Sequence, residues 1–227
     1  MTIQIYGDSI MKSILVDENY KYKTISSQLM EQFQQDTGVN VTNRAHFGYT
    51  AARGQSVLQK DLDKGLACDA ALLEFGGNDC DHNWLEVAQA PEGEHSPNTP
   101  LSAFLDTLKE MAFSVKRNGI QPVLMTLPPL DAEKYLDCIG RRGVDTGAVL
   151  SWLGDVQMIY RWQELYSNAV ARLADQLNLP LLDIRSRFLA RRDCGSLIAR
   201  DGIHLTRSGY ELIYDTFREI LPTIGLA

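Results

Sequence analysis

Positive charge is scarce in this sequence. Its 227 residues carry 22 Lys and Arg against 29 Asp and Glu, a formal charge of −7. The pairs Arg141-Arg142 and Arg191-Arg192 are local, with no basic stripe around them. Nucleic-acid binding runs on clustered positive charge, so that class is excluded. Cysteine is scarce as well. Cys68, Cys80, Cys138 and Cys194 form no CxxC and no Cys–His pairing at metal-ligand spacing, which argues against a zinc module and a disulfide framework. No metal and no organic cofactor are expected. No apolar run approaches the roughly 18 residues of a membrane span. The N-terminus leads into a strand pattern and not into a charged, then apolar, export leader. The expectation is a cytoplasmic protein with reduced thiols. Internal repeats, low-complexity tracts and linkers are also missing.

What is there is an ordinary globular composition, 44% hydrophobic and 22% charged, enough for one domain over residues 1–227. Apolar spacing predicts strands at 2–6, 39–42, 70–75, 120–127 and 180–184, and helices at 20–35, 54–64, 101–117, 156–177 and 207–221. In the third helix Leu101, Phe104, Leu105, Leu108, Met111, Ala112 and Val115 fall at three- and four-residue steps. Thr206 is a candidate cap for the last helix. Strand and helix alternate throughout, which predicts an α/β protein with helices on both faces of a parallel sheet. Segments 80–100 and 128–155 break the alternation and carry Pro91, Pro97, Pro100, Gly140, Gly143 and Gly147. Each follows the carboxyl end of a strand, the edge where such sheets place ligands. They are read as loop insertions acting as lids.

Four polar groups follow predicted strands. Gly7-Asp8-Ser9 alone suits an ordinary turn. Gly48, in Asn43–Gly54, suits a backbone need for glycine. Asn78 and Asp79 follow Gly76-Gly77 at a strand end. Asp201 and His204 stand three residues apart, so one turn can aim both the same way. Together they fit acyl transfer. His204 would take the proton of Ser9, and Asp201 would fix the tautomer and stabilise the imidazolium. The N–H groups of Ser9 and Gly48 and the amide of Asn78 could converge on an oxyanion.

These blocks resemble the SGNH hydrolases of the GDSL esterase/lipase superfamily. Gly7-Asp8-Ser9-Ile10 resembles the first block, with Ile where the family name has Leu. Gly48 matches the second, Gly76-Gly77-Asn78-Asp79 the third and Asp201-Gly202-Ile203-His204 the last. The order is the family's, over nearly the whole chain. Ala45 stands where members often carry an earlier glycine. The resemblance implies Ser9 as nucleophile, Asp201 and His204 as its partners, and Ser9, Gly48 and Asn78 as oxyanion donors. It also implies a three-layer α/β/α sandwich around a five-stranded parallel sheet of flavodoxin-like order.

One rival is a flavodoxin-like module whose first loop cradles a phosphate or flavin; it leaves Asn78, Asp201 and His204 without roles. Transfer to a sugar hydroxyl in place of water stays open. The substrate is read as a small-molecule ester of a short acyl group, acetyl on a carbohydrate first, with lysophospholipase or thioesterase action on longer chains as the alternative. Asp8, Asp79 and Trp84 are candidate substrate contacts, Trp84 by stacking on a sugar ring. Tyr135, Trp152 and Trp162 are read as shaping the site or burying an interface between copies, so a homo-oligomer stays open.

Overall fold

Residues 1–224 are described by the computed structural model; the last three residues of the expected 1–227 domain lie outside them. Along the chain come β1 (Thr2–Gly7), β2 (Ile14–Val16), β3 (Tyr22–Thr24), α1 (Ser26–Thr37), β4 (Asn40–Asn43), α2 (Ala51–Asp63) and β5 (Ala70–Glu74). Then follow α3 (Trp84–Gln89), α4 (Leu101–Arg117), β6 (Gln121–Met125), α5 (Ala132–Arg141), α6 (Thr146–Leu153) and α7 (Gln157–Gln176). The remaining elements are β7 (Leu181–Leu182), α8 (Ile184–Leu189) and α9 (Arg207–Ile220).

The main sheet has the order β4-β1-β5-β6-β7, and every neighbouring pair is parallel. This is the flavodoxin-like order expected from the sequence. All five residues of β5 are buried, because a central parallel strand is covered on both faces. Its run Ala-Ala-Leu-Leu supplies that burial, and only Glu74 brings charge. One face packs against α1, α8 and α9 through Phe33, Phe188, Tyr210 and Phe217. The other packs against α2, α4 and α7 through Leu58, Phe104, Met111, Tyr166 and Val170. Each such side chain contributes about 1.5–3 kcal/mol of burial. Truncating one, Phe104→Ala for example, costs about 3–5 kcal/mol. Gly54 of α2 lies flat against the Phe75 ring, where any β-carbon would collide.

The structure departs from the expected elements in four places. The helix expected over 20–35 begins only at Ser26, because residues 22–24 pair antiparallel with β2. Asp17 closes that ribbon by accepting the N–H groups of Asn19 and Lys21. The helix expected from residue 54 starts at Ala51, whose N–H is held by Asp79. The last strand is short because Asp183 caps α8 through the N–H of Ser186. Finally, the two expected loop insertions contain α3, α5 and α6, whose first turns are capped by Asn83, Asp131 and Asp145. Trp84, Val87, Tyr135, Ile139, Val149 and Ile159 give these helices an apolar cluster of their own. Among the described residues no helix is long and apolar enough to cross a membrane.

Candidate active site

At the end of β1 the chain turns sharply. Asp8 Oδ1 accepts the Ile10 N–H at 2.8 Å, and Lys12 and Ile14 donate main-chain bonds back to Asp8 and Ser9. Ser9 therefore sits at the carboxyl edge of the sheet, on a turn fixed by its own neighbours. Before α9, a second turn does the same for the imidazole. Asp201 Oδ1 accepts the main-chain N–H of Ile203 at 3.3 Å and of His204 at 3.1 Å. Its Oδ2 lies 2.6 Å from His204 Nδ1. Gly202 between them has φ +79° and lies against the Asp131 and Tyr135 backbone, so only glycine fits.

The two turns meet. His204 Nε2 is 2.9 Å from Ser9 Oγ, and the three side chains form one chain of hydrogen bonds out of water: Asp201 is fully buried and His204 nearly so. Burial pushes the Asp201 carboxyl up, but the bond from the His204 ring, the imidazole charge and the two N–H donors outweigh it and leave it below the usual range. That carboxylate can hold the Nδ1–H tautomer, which leaves Nε2 as a base facing the hydroxyl.

Gly48 has φ +72° with open space where a β-carbon would stand. Among the described residues no acceptor takes up the N–H of Gly48 or of Ser9. Asn78 Nδ2 donates to Asp8 Oδ2 at 2.9 Å and to the Tyr49 carbonyl at 3.1 Å. Both partners accept, so the two amide hydrogens are taken, one by Asp8 in the Ser9 turn and one by Tyr49.

Asp8 and Asp79, expected as substrate contacts, hold the protein's own groups instead. Asp79 is fully buried and caps α2 with both oxygens on the Ala51 N–H. Burial pushes its carboxyl up to about 6. Asp8 borders the cavity, but its oxygens are engaged by Ile10 and Asn78. Burial raises Asp8 to about 6, against the Ile10 N–H, which lowers it. Beneath it lies Glu74, also fully buried, with Oε2 accepting the Asp8 N–H. Burial, and then the Asp8 charge, push the Glu74 carboxyl well above the usual carboxylate range. Glu74 Oε1 is buried and has no hydrogen-bond partner among the described residues.

A cavity of about 670 Å³, counting its open mouth, runs from Ser9 and Asn78 to Trp84, Leu127, Ile159 and Trp162. Trp84 borders it with its Nε1–H given to Asp81 at 2.8 Å. Tyr135 donates to the other Asp81 oxygen at 2.6 Å. Trp84, Tyr135 and Trp162 line the cavity, and Trp152 packs against Trp84 and Trp162. Two neighbours of the imidazole escaped the sequence reading. Phe47 stacks on His204 at 5.7 Å and is 52% exposed. Tyr22 lies 5.3 Å from the same ring, its hydroxyl accepting from Arg142. Nothing in their spacing marks them, because their partner is far along the chain. Among the described residues no group of three or more His, Cys, Asp and Glu could hold a metal ion.

Comparison with known proteins fits this geometry. GDSL esterase/lipase WDL1 of Oryza sativa subsp. japonica is 25% identical over 182 residues, 78% of this chain and 64% of that protein. The chain thus spans under two thirds of the plant relatives it matches. The isoamyl acetate-hydrolyzing esterase of Saccharomyces cerevisiae is 20% identical over 96% of this chain and 85% of its own. The crystal structure of the lipase/acylhydrolase from Enterococcus faecalis superposes with a TM-score of 0.69 at 21% identity, covering 96% of this chain and 94% of that one. The sequence profile of the GDSL-like Lipase/Acylhydrolase family matches residues 5–212. This chain, with the SGNH blocks assembled at one edge of its sheet, belongs to that family.

Proposed function

We propose that the protein is a carboxylic ester hydrolase that works through an acyl-enzyme on Ser9. The observation that carries this reading is the continuous Asp201–His204–Ser9 hydrogen-bonded chain at the mouth of the cavity. His204 Nε2 takes the Ser9 proton as Oγ attacks the ester carbon, and Asp201 stabilises the imidazolium. The oxyanion is met by the free N–H groups of Ser9 and Gly48 and by Asn78, whose N–H turns to it from the Tyr49 carbonyl. His204 returns the proton to the departing alcohol, and water attacks the acyl-enzyme by the same route in reverse. Asp8 and Glu74 act as positioning residues, since Asp8 orients the Asn78 amide.

The acyl group is short and the alcohol a carbohydrate or similar ring. The relative named for isoamyl acetate hydrolysis supports a short acyl group, and the exposed Phe47 ring beside His204 supports a ring-shaped alcohol by stacking. A second reading, longer acyl chains, is favoured by the apolar cavity wall of Leu127, Pro128, Leu130 and Ile159. Residues 1–227 act as one domain, with the helices of segments 80–100 and 128–155 as one wall of the site. Four free thiols suit the cytoplasm. The test is a p-nitrophenyl ester panel from acetate to decanoate beside acetylated oligosaccharides and a lysophospholipid. Turnover falling beyond butyrate supports the first reading, a maximum at eight or more carbons supports the second, and no turnover of any ester refutes both.

A further inference from the structure

One polar group in the cavity has no part in the chemistry just described. His82, in the segment between β5 and α3, lines the cavity and is 6% exposed. Its ring stands in a cage of indoles, with centroids 4.6 Å from Trp162, 5.3 Å from Trp152 and 5.4 Å from Trp84. Its Nδ1 is enclosed without a hydrogen-bond partner. Burial, assisted by the nearby His95 charge, lowers His82 to about 4, so near pH 7 the ring is neutral and carries one N–H. A buried N–H left without an acceptor is rarer in proteins than an unused lone pair. The proton therefore belongs on Nε2, the nitrogen not enclosed, and Nδ1 is the bare one. A phenyl ring would fill the same cage without the cost of desolvating an imidazole. Packing alone does not account for histidine here.

The direction of the reaction says which part of a substrate meets it. His204 protonates the leaving alcohol, so the alcohol lies on the imidazole side with Phe47 and Tyr22. On that reading the acyl group points the other way, into the cavity that His82 lines. We propose that His82 is a specificity-determining residue for the acyl group. Its Nε2–H donates to an acceptor oxygen, a keto or hydroxyl oxygen, carried some bonds beyond the ester on an otherwise apolar acyl body. This rests on the reading of Ser9 as nucleophile, and it makes acetyl a tolerated acyl group and an oxygenated one a favoured one.

The test compares p-nitrophenyl pentanoate with p-nitrophenyl 4-oxopentanoate, which share a leaving group and differ by one keto oxygen. His82→Phe keeps the ring and removes the donor. It should lower kcat/KM for the oxo ester by about five- to tenfold, the loss of one buried hydrogen bond, and leave the plain ester within about twofold. Equal changes for both esters would overturn the proposal. Should His82→Phe fail to fold, the Ser9→Ala protein carries a second arm. Intact oxo ester should shift the His82 ring nitrogen resonances, and the plain ester should not; the same response to both overturns the proposal. Hydrolysis of neither ester by the unmodified protein sinks the esterase reading instead, while the resonance arm still decides His82.

Discussion

His204 Nε2 stands 2.9 Å from Ser9 Oγ, though 195 residues separate them. The sheet order explains the approach. The Ser9 turn leaves β1, between β4 and β5, at its carboxyl edge, and the Asp201–His204 turn delivers its imidazole to that edge just before α9 packs Tyr210 and Phe217 into the core. Tyr210 also donates its hydroxyl to the Ile14 carbonyl at 2.8 Å, tying α9 to the segment after Ser9.

That contact predicts unequal losses along the triad. His204→Ala removes the proposed base and should reduce kcat on p-nitrophenyl acetate by roughly 10⁴- to 10⁶-fold. Asp201→Asn keeps the shape but disturbs the tautomer, and should cost less, about 10³- to 10⁴-fold. Circular dichroism should show both variants folded. A folded Asp201→Asn protein with unchanged turnover would remove the carboxylate from the account.

In the proposed mechanism Asn78 serves a charge that exists only after attack begins. Asn78→Ala should therefore lower kcat by roughly 100- to 1,000-fold while KM moves little. Asp8→Asn puts a second amide opposite Asn78 Nδ2 and should lower kcat in the same direction by turning that donor. Steady-state kinetics read both, and a change confined to KM would speak against an oxyanion role.

Phe47 has half its surface free beside the imidazole. Phe47→Ala should raise KM severalfold for esters of aromatic or sugar alcohols, by about the 0.5–1.5 kcal/mol of a ring contact. Ethyl esters with the same acyl group should be unaffected. Equal effects on both alcohols would place the leaving group elsewhere.

The buried cap Asp79 links stability to pH. With its carboxyl raised to about 6, the folded chain holds this proton more tightly than the unfolded chain does. Asp79 therefore contributes most stability below about pH 4, and that contribution declines as pH rises to about 6 and stays flat above. Asp79→Asn does not titrate and can still accept the Ala51 N–H. Urea midpoints should show the difference in stability, wild type minus variant, falling by about 2 kcal/mol between pH 4 and 7. A difference that rises with pH would contradict the sign.

Much of this was legible in the sequence because it rests on local chemistry. A buried strand reads as an apolar run, as in Ala70–Glu74, and Asp201 three residues before His204 reads as one turn. The short ribbon of β2 and β3 was not legible: it is fixed by the Asp17 turn and by Thr24 donating to the Lys12 carbonyl, not by any apolar period. The helices inside 80–100 and 128–155 hide behind proline and glycine, since their caps and shared cluster appear only once the segments meet. Asp8 and Asp79 read as candidate substrate contacts because both follow strand ends, at the edge where such sheets place ligands. Their burial depends on partners in other segments, Asn78 and Glu74 for Asp8, Ala51 for Asp79. Phe47, Tyr22 and His82 carried no signal, because a side chain's role at a cavity wall is set by what faces it.

The most direct test of the account is to trap the nucleophile. The protein is incubated with a p-nitrophenyl alkylphosphonate, and its intact mass and peptide map are measured. One adduct is expected, on Ser9, with labelling slowed by orders of magnitude in His204→Ala. An adduct on any other residue, or equal labelling with and without the imidazole, would contradict it.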